Sequence, residues 1–293
     1  MVKEFFEGYN QKNIEYYMKE HTDKKCKKIV LIHDMFEDID LYIDFIEYFF
    51  NQGYDVYVPE IRGNGNLREK EYTDFGDGRI EAVLKDIDIF IHKKFVNVRY
   101  SDIILVGQGI GALISYYTFI GNKFNTLILS SLFMENLITI NANILLSKIE
   151  EKANVKNSRL NKYYYSTSKK YLKEGVHGMI TADSNFKKKL REDKKYMISA
   201  SPAYFNDMLR LCRYVKKNFK NIPDGVNILN IYGGEDIYLN SDKIKKYMIG
   251  INSNTRNIRI FKNEKGRRNS LLEVNKDVVY GKINEWIKEV TNE

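Results

Sequence analysis

Short, nearly continuous apolar runs alternate with longer segments of helical periodicity along most of this 293-residue chain. The first run lies at residues 29–34. The segment 38–51 that follows carries apolar side chains at helical spacing and ends before Gly53, a helix stop signal. Strands that are apolar on both faces and alternate with helices require right-handed crossovers. The pattern therefore predicts an α/β protein with a mostly parallel sheet and helices on both of its faces.

The same alternation of strands and helices continues through two parts of the chain and is absent between them. It predicts further strands at 54–59, 102–106, 126–130, 226–232 and 256–261, and further helices at 78–94, 111–120, 241–249 and 278–290. Alternation around residues 14–18 predicts an antiparallel hairpin in the first 25 residues. Residues 132–223 have an irregular, polar and tyrosine-rich helical pattern. We therefore predict a core of residues 1–131 and 224–293, interrupted by an inserted helical lid at 132–223.

Composition and charge exclude several classes of protein. The net charge of +8 does not indicate nucleic-acid binding, because the lysines are spread along the chain among 39 acidic residues. The longest apolar runs, 103–106 and 127–133, are far shorter than the roughly 20 residues that cross a bilayer. The first residues are too acidic for a signal peptide. These features predict a soluble cytoplasmic protein that does not bind nucleic acid.

The chain has two cysteines, Cys26 and Cys212. Their wide separation does not suggest a disulfide framework or a metal cluster. We expect two ordinary buried or half-buried thiols, and we predict neither a metal site nor a cofactor.

Four segments carry a resemblance to a known family. Residues 32–38 resemble the His-Gly-Met-x-Glu-His loop of monoacylglycerol-lipase-like lysophospholipases, and residues 53–65 are similar to their Gly-Tyr-x-Val-x-x-x-Asp-x-Arg-Gly-His-Gly segment. Residues 107–111 lie at the strand-to-helix turn where these proteins have Gly-x-Ser-x-Gly, and residues 233–236 resemble the loop of their catalytic acid. The resemblance, to α/β-hydrolases of the serine aminopeptidase S33 type, implies a serine carboxylester hydrolase with a lid.

The resemblance also implies that two of the three catalytic groups are missing. Gly109 stands at the nucleophile position, where glycine offers no hydroxyl for attack. Asn269 aligns with the catalytic histidine, and no histidine follows Asp236, which is at the acid position. An asparagine side chain cannot accept and return a proton near neutral pH. Without a histidine to orient, Asp236 is either a relic of the acid or a residue of the turn.

The oxyanion hole is altered as well. The resemblance assigns its N–H groups to Met35 and Ile110, but Asp34 replaces the usual glycine, and a carboxylate there would oppose negative charge. His33, Asp34 and Gln108 border this hole and are the candidate ligand contacts. For His33 a structural role is the main alternative. Asn64 replaces a further family histidine, so the departures are not confined to one position.

Three hypotheses about function remain open from the sequence. The first is a non-catalytic hydrolase-fold protein that binds an acyl or lysolipid-like ligand, a small amphipathic molecule, or an unidentified protein partner. The second is an active ester hydrolase with a displaced nucleophile, for which the candidates are Ser115, Ser130, Ser131 and Cys212. The third is a protein whose apolar segment 132–149 lies on a membrane surface instead of closing a pocket, an arrangement we consider less favoured.

Overall fold

An eight-stranded sheet runs through the computed structural model, which describes residues 1–22, 25–165, 169–196, 198–239 and 257–291 together with Asp242 and Ile244. Its strands are β1 (Val2–Glu7), β2 (Asn13–Lys19), β3 (Lys28–Ile32), β4 (Asp55–Pro59), β5 (Ile103–Gln108), β6 (Thr126–Ser130), β7 (Asn227–Gly233) and β8 (Asn257–Asn263). The strand order is β1-β2-β4-β3-β5-β6-β7-β8. β1 and β2 form an antiparallel hairpin, β2 pairs antiparallel with β4, and the strands from β4 to β8 are parallel. The predicted hairpin and mostly parallel sheet are confirmed.

Helices connect the parallel strands. They are α1 (Ile43–Asn51), α2 (Arg79–Lys94), α3 (Ile110–Ile120), α4 (Leu137–Lys152), α5 (Leu160–Tyr165), α6 (Ser184–Glu192), α7 (Pro202–Lys217) and α8 (Lys276–Thr291). The predicted helix at 241–249 falls outside the continuous described ranges. Among the described residues, no helix combines the length and the apolar character that a membrane crossing requires.

The two faces of the sheet bury separate apolar clusters. Val30 and Ile32 of β3 belong to the cluster under α2, α3 and α7, whereas Ile29 and Leu31 belong to the cluster under α1 and α8. This division follows from the two-residue period of a strand, which sends alternate side chains to opposite faces. All four side chains are fully buried, and each contributes roughly 1.5–3 kcal/mol to the driving force for folding. The central strands are apolar throughout for this reason.

The segment between β6 and β7 contains α4 to α7. α4 packs on α7, and α7 packs on α2 and α3 of the core. Thr73 joins this segment through backbone hydrogen bonds, since its N–H donates to Ser199 and its carbonyl accepts from Ser201. The segment coincides with the predicted insertion, while the predicted domain boundaries and the role as a lid stay predictions.

Candidate active site

The turn between β5 and α3 has the geometry of a nucleophile elbow without a nucleophile. The backbone of Gly109 has φ 56° and ψ −112°, a conformation that residues with a Cβ rarely adopt. A Cβ on Gly107 would collide with the backbone of Ala112, and one on Gly111 would collide with the carbonyl of Ile32. Gly107 therefore allows β5 to approach α3 closely, as an elbow requires, and Gly111 allows α3 to approach β3.

The carboxylate of Asp34 occupies the space beside Gly109. A Cβ on Gly109 would lie closer than 3.0 Å to the carboxylate carbon and both oxygens of Asp34, a separation that real Cβ atoms essentially never show. Asp34 Oδ1 accepts hydrogen bonds of 2.8 Å from the N–H of Met35 and 2.8 Å from the N–H of Ile110. Asp34 thus fills, with its own negative charge, the N–H pair that was predicted to form the oxyanion hole.

Arg268 and Asp236 complete the cluster around Asp34. Arg268 Nε is 3.3 Å from Asp34 Oδ2, and the guanidinium lies 5.6 Å from the ring centroid of Tyr238. Asp236 Oδ1 accepts from the N–H groups of Tyr238 and Leu239, while its Oδ2 is buried without a hydrogen-bond partner among the described residues. Burial raises the pKa of Asp236, and the positive charge of Arg268 opposes that effect. A cation therefore balances two buried carboxylates.

Asn269 does not lie between the acid and the elbow. Its Nδ2 donates to Glu37 Oε1 at 2.6 Å and to the Tyr42 hydroxyl at 3.2 Å, and its Oδ1 accepts from the N–H of Leu271. The side chain that approaches Asp34 belongs to Arg268, one residue earlier. The assignment of Asn269 to the position of the family histidine stays a prediction, and its side chain contacts Glu37 and Tyr42.

Glu37 is the acceptor at the centre of that second group. It accepts from the Tyr42 hydroxyl at 2.5 Å and from the N–H of Asp34 at 3.1 Å, in addition to Asn269. Burial and the nearby charge of Asp34 raise the pKa of Glu37 to about 7, although the donors lower it. Glu37 therefore holds the loop after β3 in place from inside the protein.

His33 is fully buried and forms an ion pair with Glu60. Its Nε2 lies 2.6 Å from Glu60 Oε1, and its Nδ1 donates to the carbonyl of Asp34 at 2.8 Å. Burial lowers the pKa of His33, but the charge and hydrogen bond of Glu60 outweigh it and raise the pKa to about 9. The imidazole has no exposed surface, so the contacts favour the structural role over ligand contact.

This ion pair predicts a pH dependence of stability. Because the folded-state pKa of His33 is about 9 and its ordinary value is 6.5, the pair's contribution is complete below pH 6.5 and is lost as pH rises through 9. The free energy of unfolding of the wild type is expected to fall by about 3 kcal/mol between pH 6.5 and pH 10 from this source. Urea unfolding at several pH values measures the change.

The matched controls are His33→Gln and His92→Gln. Glutamine at position 33 cannot carry the proton, so the decrease above pH 7 should be smaller in that variant. The side chain of His92 is 53% exposed, so its replacement should leave the wild-type pH profile unchanged. Equal pH profiles for His33→Gln and the wild type would contradict the ion-pair assignment.

The remaining predicted site residues are also enclosed by protein. Gln108 is fully buried, and its Nε2 donates to the carbonyl of Arg268 at 3.4 Å, which also accepts from the Ser131 hydroxyl. Asn64 Oδ1 accepts from the N–H of Phe36, whose φ is 61°. The prediction that a ligand contacts His33, Asp34 and Gln108 stays a prediction. All three side chains are buried and form hydrogen bonds within the chain.

The displaced nucleophiles suggested by the sequence are buried and lack a base. Their exposed fractions are 0% for Ser115, 0% for Ser130, 2% for Ser131 and 0% for Cys212. Within the described ranges none of them forms a hydrogen bond with a histidine. Burial raises the pKa of Cys212 to about 12, the opposite of activation. These contacts give no support to the second hypothesis.

The importance of three residues was not apparent from the sequence. Arg268, Glu37 and Glu60 are charged side chains within or beside the recognised motifs, yet they are 8%, 3% and 2% exposed. Buried charges require partners. The sequence feature that could have indicated a buried charge cluster is the presence of three ionisable residues in segments that pack against the sheet. Only the fold shows which partner each one has.

The turn at Gly109, the loop after β3 and the loop after β7 that carries Asp236 stand on a mostly parallel sheet, as in an α/β-hydrolase. The chain matches the serine aminopeptidase S33 family over residues 23–264 and belongs to that family. No curated protein sequence matches the chain.

Solved structures with this fold cover almost the whole chain. A soluble variant of the monoglyceride lipase of Saccharomyces cerevisiae has a TM-score of 0.74 at 16% identity, over 98% of this chain and 94% of that one. A highly thermostable carboxyl esterase from Bacillus coagulans has a TM-score of 0.79 at 14% identity, over 99% and 98%. The monoacylglycerol lipase of Paleococcus ferrophilus has a TM-score of 0.70 at 15% identity, over 94% and 99%. At these identities the likeness concerns the fold.

Proposed function

We propose that the chain is a non-catalytic member of its family. The observation that carries the proposal is the carboxylate of Asp34, whose Oδ1 accepts from both Met35 and Ile110 at 2.8 Å. A carbonyl oxygen that develops negative charge needs those same N–H groups. It would have to displace an anion that already has two hydrogen bonds and the Arg268 guanidinium.

The rest of the site supports the same conclusion. Gly109 has no side chain for attack, and the residue next to Asp34 and Asp236 is an arginine, whose guanidinium stays protonated and cannot act as a base. Loss of triad groups lowers kcat by about 10⁴–10⁶-fold, and the rate that remains depends on the oxyanion hole and on binding. With the hole filled, we expect even this remainder to be lost.

The test is covalent labelling by a fluorophosphonate probe. The wild-type protein is expected to show no mass increase under conditions that label an active serine esterase completely, because no described serine is activated by a histidine. Hydrolysis of short p-nitrophenyl esters is expected at the rate of the protein-free control. Stoichiometric labelling would refute the proposal. Loss of that labelling in Ser131→Ala would then identify a displaced nucleophile.

We also propose, as a second function, that α4 binds to anionic membrane lipid. Ile140, Ile144 and Ser147 face the protein interior, whereas Ile138, Leu145 and Ile149 are 84%, 61% and 56% exposed. The spacing of the exposed residues places them on one face of the helix. A continuous apolar stripe facing solvent is unusual in a surface helix and marks an interaction site.

Positive charge beside the stripe favours an anionic lipid surface as the partner. Lys148, Lys152 and Lys156 are exposed on α4 or just after it, and Glu151 is paired with Arg79. Each lysine near an anionic membrane contributes about 1 kcal/mol to binding, and insertion of apolar side chains adds to this. The combination supports a helix that lies in the membrane interface.

Vesicle co-sedimentation tests this second function. The wild type is expected to sediment with phosphatidylcholine vesicles that contain phosphatidylglycerol and much less with phosphatidylcholine alone. Ile138→Ser/Leu145→Ser/Ile149→Ser is expected to weaken the partition about tenfold or more, because three insertion contacts are lost. The matched control removes three valines that are 74%, 68% and 57% exposed elsewhere, Val96→Ser/Val274→Ser/Val278→Ser. An equal effect of both triple variants would contradict docking through α4.

A further inference from the structure

A histidine, a cysteine and an aspartate meet at the amino-terminal ends of the parallel strands β3 and β4, whereas the elbow follows the carboxyl end of β5. His21 follows β2, Cys26 precedes β3, and Asp55 is the first residue of β4. The metal-binding atoms of these three side chains lie within 4.8 Å of one another. Gly109 follows the end of β5, which runs parallel to β3 and β4, so the cluster is separate from the candidate active site.

Two of the three side chains are fixed by their surroundings. The ring of His21 stacks on Phe50 with centroids 4.0 Å apart and an interplanar angle of 12°. Asp55 Oδ1 accepts from the N–H of His21 at 2.7 Å and lies 3.1 Å from its Nδ1, while Oδ2 accepts from Lys28 Nζ at 2.7 Å. One oxygen of Asp55 and one ring nitrogen of His21 are therefore already neighbours.

We propose that His21, Cys26 and Asp55 bind a zinc ion. A thiolate sulfur, an imidazole nitrogen and a carboxylate oxygen are the ligand types that zinc takes in proteins. Tetrahedral coordination at the usual bond lengths places ligand atoms about 3.3–3.6 Å apart, so a shift of about 1 Å by the side chains closes the site. His21 and Cys26 are half-buried, so a metal ion can reach them from solvent.

Lys28 places a positive charge beside this site. Its ammonium group donates to Asp55 Oδ2 and to the carbonyl of Cys26 at 2.6 Å, so it stays beside the bound ion and lowers the affinity. Zinc binding requires the Cys26 thiol to lose its proton, and it replaces the hydrogen bond between His21 and Asp55.

The bound ion would connect the loop between β2 and β3 to the start of β4. Among the described residues, the N-terminal hairpin pairs with the parallel sheet through β2 and β4, so a metal link beside this pairing would stabilise the attachment of the hairpin. A ligand that binds the folded state alone raises the free energy of unfolding in proportion to the logarithm of its concentration. The proposed role is structural and does not depend on the proposed loss of catalysis.

Cobalt titration of the reduced, chelator-treated protein tests the site. One equivalent of Co²⁺ is expected to produce the visible bands of tetrahedral cobalt together with a thiolate-to-cobalt charge-transfer band, and Zn²⁺ is expected to displace it. Cys26→Ser should abolish the charge-transfer band, and His21→Asn should weaken binding at least tenfold, since each removes one of three protein ligands. Zn²⁺ should raise the melting temperature of the wild type but not of either variant.

Two matched control variants test whether the metal ion binds at another site. Cys212→Ser and His92→Asn remove the same residue types far from the cluster and should leave the cobalt spectrum and the zinc-dependent melting shift unchanged. Circular dichroism checks that Cys26→Ser and His21→Asn are folded. The proposal is overturned if the wild type gives no charge-transfer band, or if the band persists in Cys26→Ser or disappears in Cys212→Ser.

Discussion

A Gly109→Ala variant is expected to have a free energy of unfolding about 3 kcal/mol or more below that of the wild type, and Asp34→Gly is expected to restore the part of this loss that comes from the collision with Asp34. Two effects add in the single variant. The backbone conformation of Gly109 is strained for any residue with a Cβ, which costs of order 1–3 kcal/mol. The new methyl group also collides with the carboxylate of Asp34, which must move away from Met35 and Ile110.

A double-mutant cycle in urea separates these two effects. If Asp34 fills the space beside Gly109, the double variant retains only the backbone strain, and the coupling energy between positions 34 and 109 is large. Gly53→Ala is the matched control, because Gly53 has a φ of 96° and nothing lies within 4 Å of an added Cβ. The free energy of unfolding of Gly53→Ala should fall by the cost of backbone strain alone, and Asp34→Gly should not restore it. Additive effects at positions 34 and 109 would refute the overlap.

An Arg268→Met variant is expected to lose about 3–5 kcal/mol of stability at pH 7.5, because it leaves the carboxylates of Asp34 and Asp236 buried without their cation. The loss should depend on pH. Without Arg268, burial raises the pKa of Asp236 further above its ordinary value of 3.8. A carboxyl whose pKa is raised by folding contributes stability at low pH that is lost as pH rises through its folded-state pKa. The difference from the wild type should therefore be smallest near pH 4 and largest above neutrality.

Unfolding curves from pH 4 to pH 8 measure this dependence. Arg259→Met is the matched control, since Arg259 and Glu289 form a surface pair with 46% and 50% of their side-chain surfaces exposed. That variant should lose less than about 1 kcal/mol, with little change over the same pH range. Asp34→Asn should partly rescue Arg268→Met by removing one of the two charges. If Arg268→Met behaves like Arg259→Met, Arg268 does not balance buried carboxylates.

The elements of the core were predictable because each one has a local signal. Residues 126–130 were predicted as a strand and form β6, whereas the strand predicted at 102–106 continues to Gln108 in β5. The apolar run ends at Val106, but the ladder with β6 extends to the pair Gln108 and Ser130. Strand ends depend on the neighbouring strand, and a single segment of sequence does not contain that neighbour.

The candidate site was predictable only in part. The sequence shows that position 109 lacks a hydroxyl and that Asp34 puts a negative charge beside Met35 and Ile110. It did not show that the carboxylate itself accepts from both N–H groups, nor that Arg268 and not Asn269 lies next to Asp34. Side-chain direction at adjacent positions depends on packing against other elements, here against Glu37 and Tyr42.

The sequence by itself determined the α/β core, which follows from periodicities that act over a few residues. The resemblance to the family placed the elbow at Gly109, where the sequence has a residue without a hydroxyl group. Only the tertiary structure decided which distant side chains meet: Asp34 with Arg268 across 234 positions, and His21 with Asp55 across 34. The physical reason is that buried charges and metal-binding atoms act over a few ångströms in space, and the order of residues along the chain does not encode those distances.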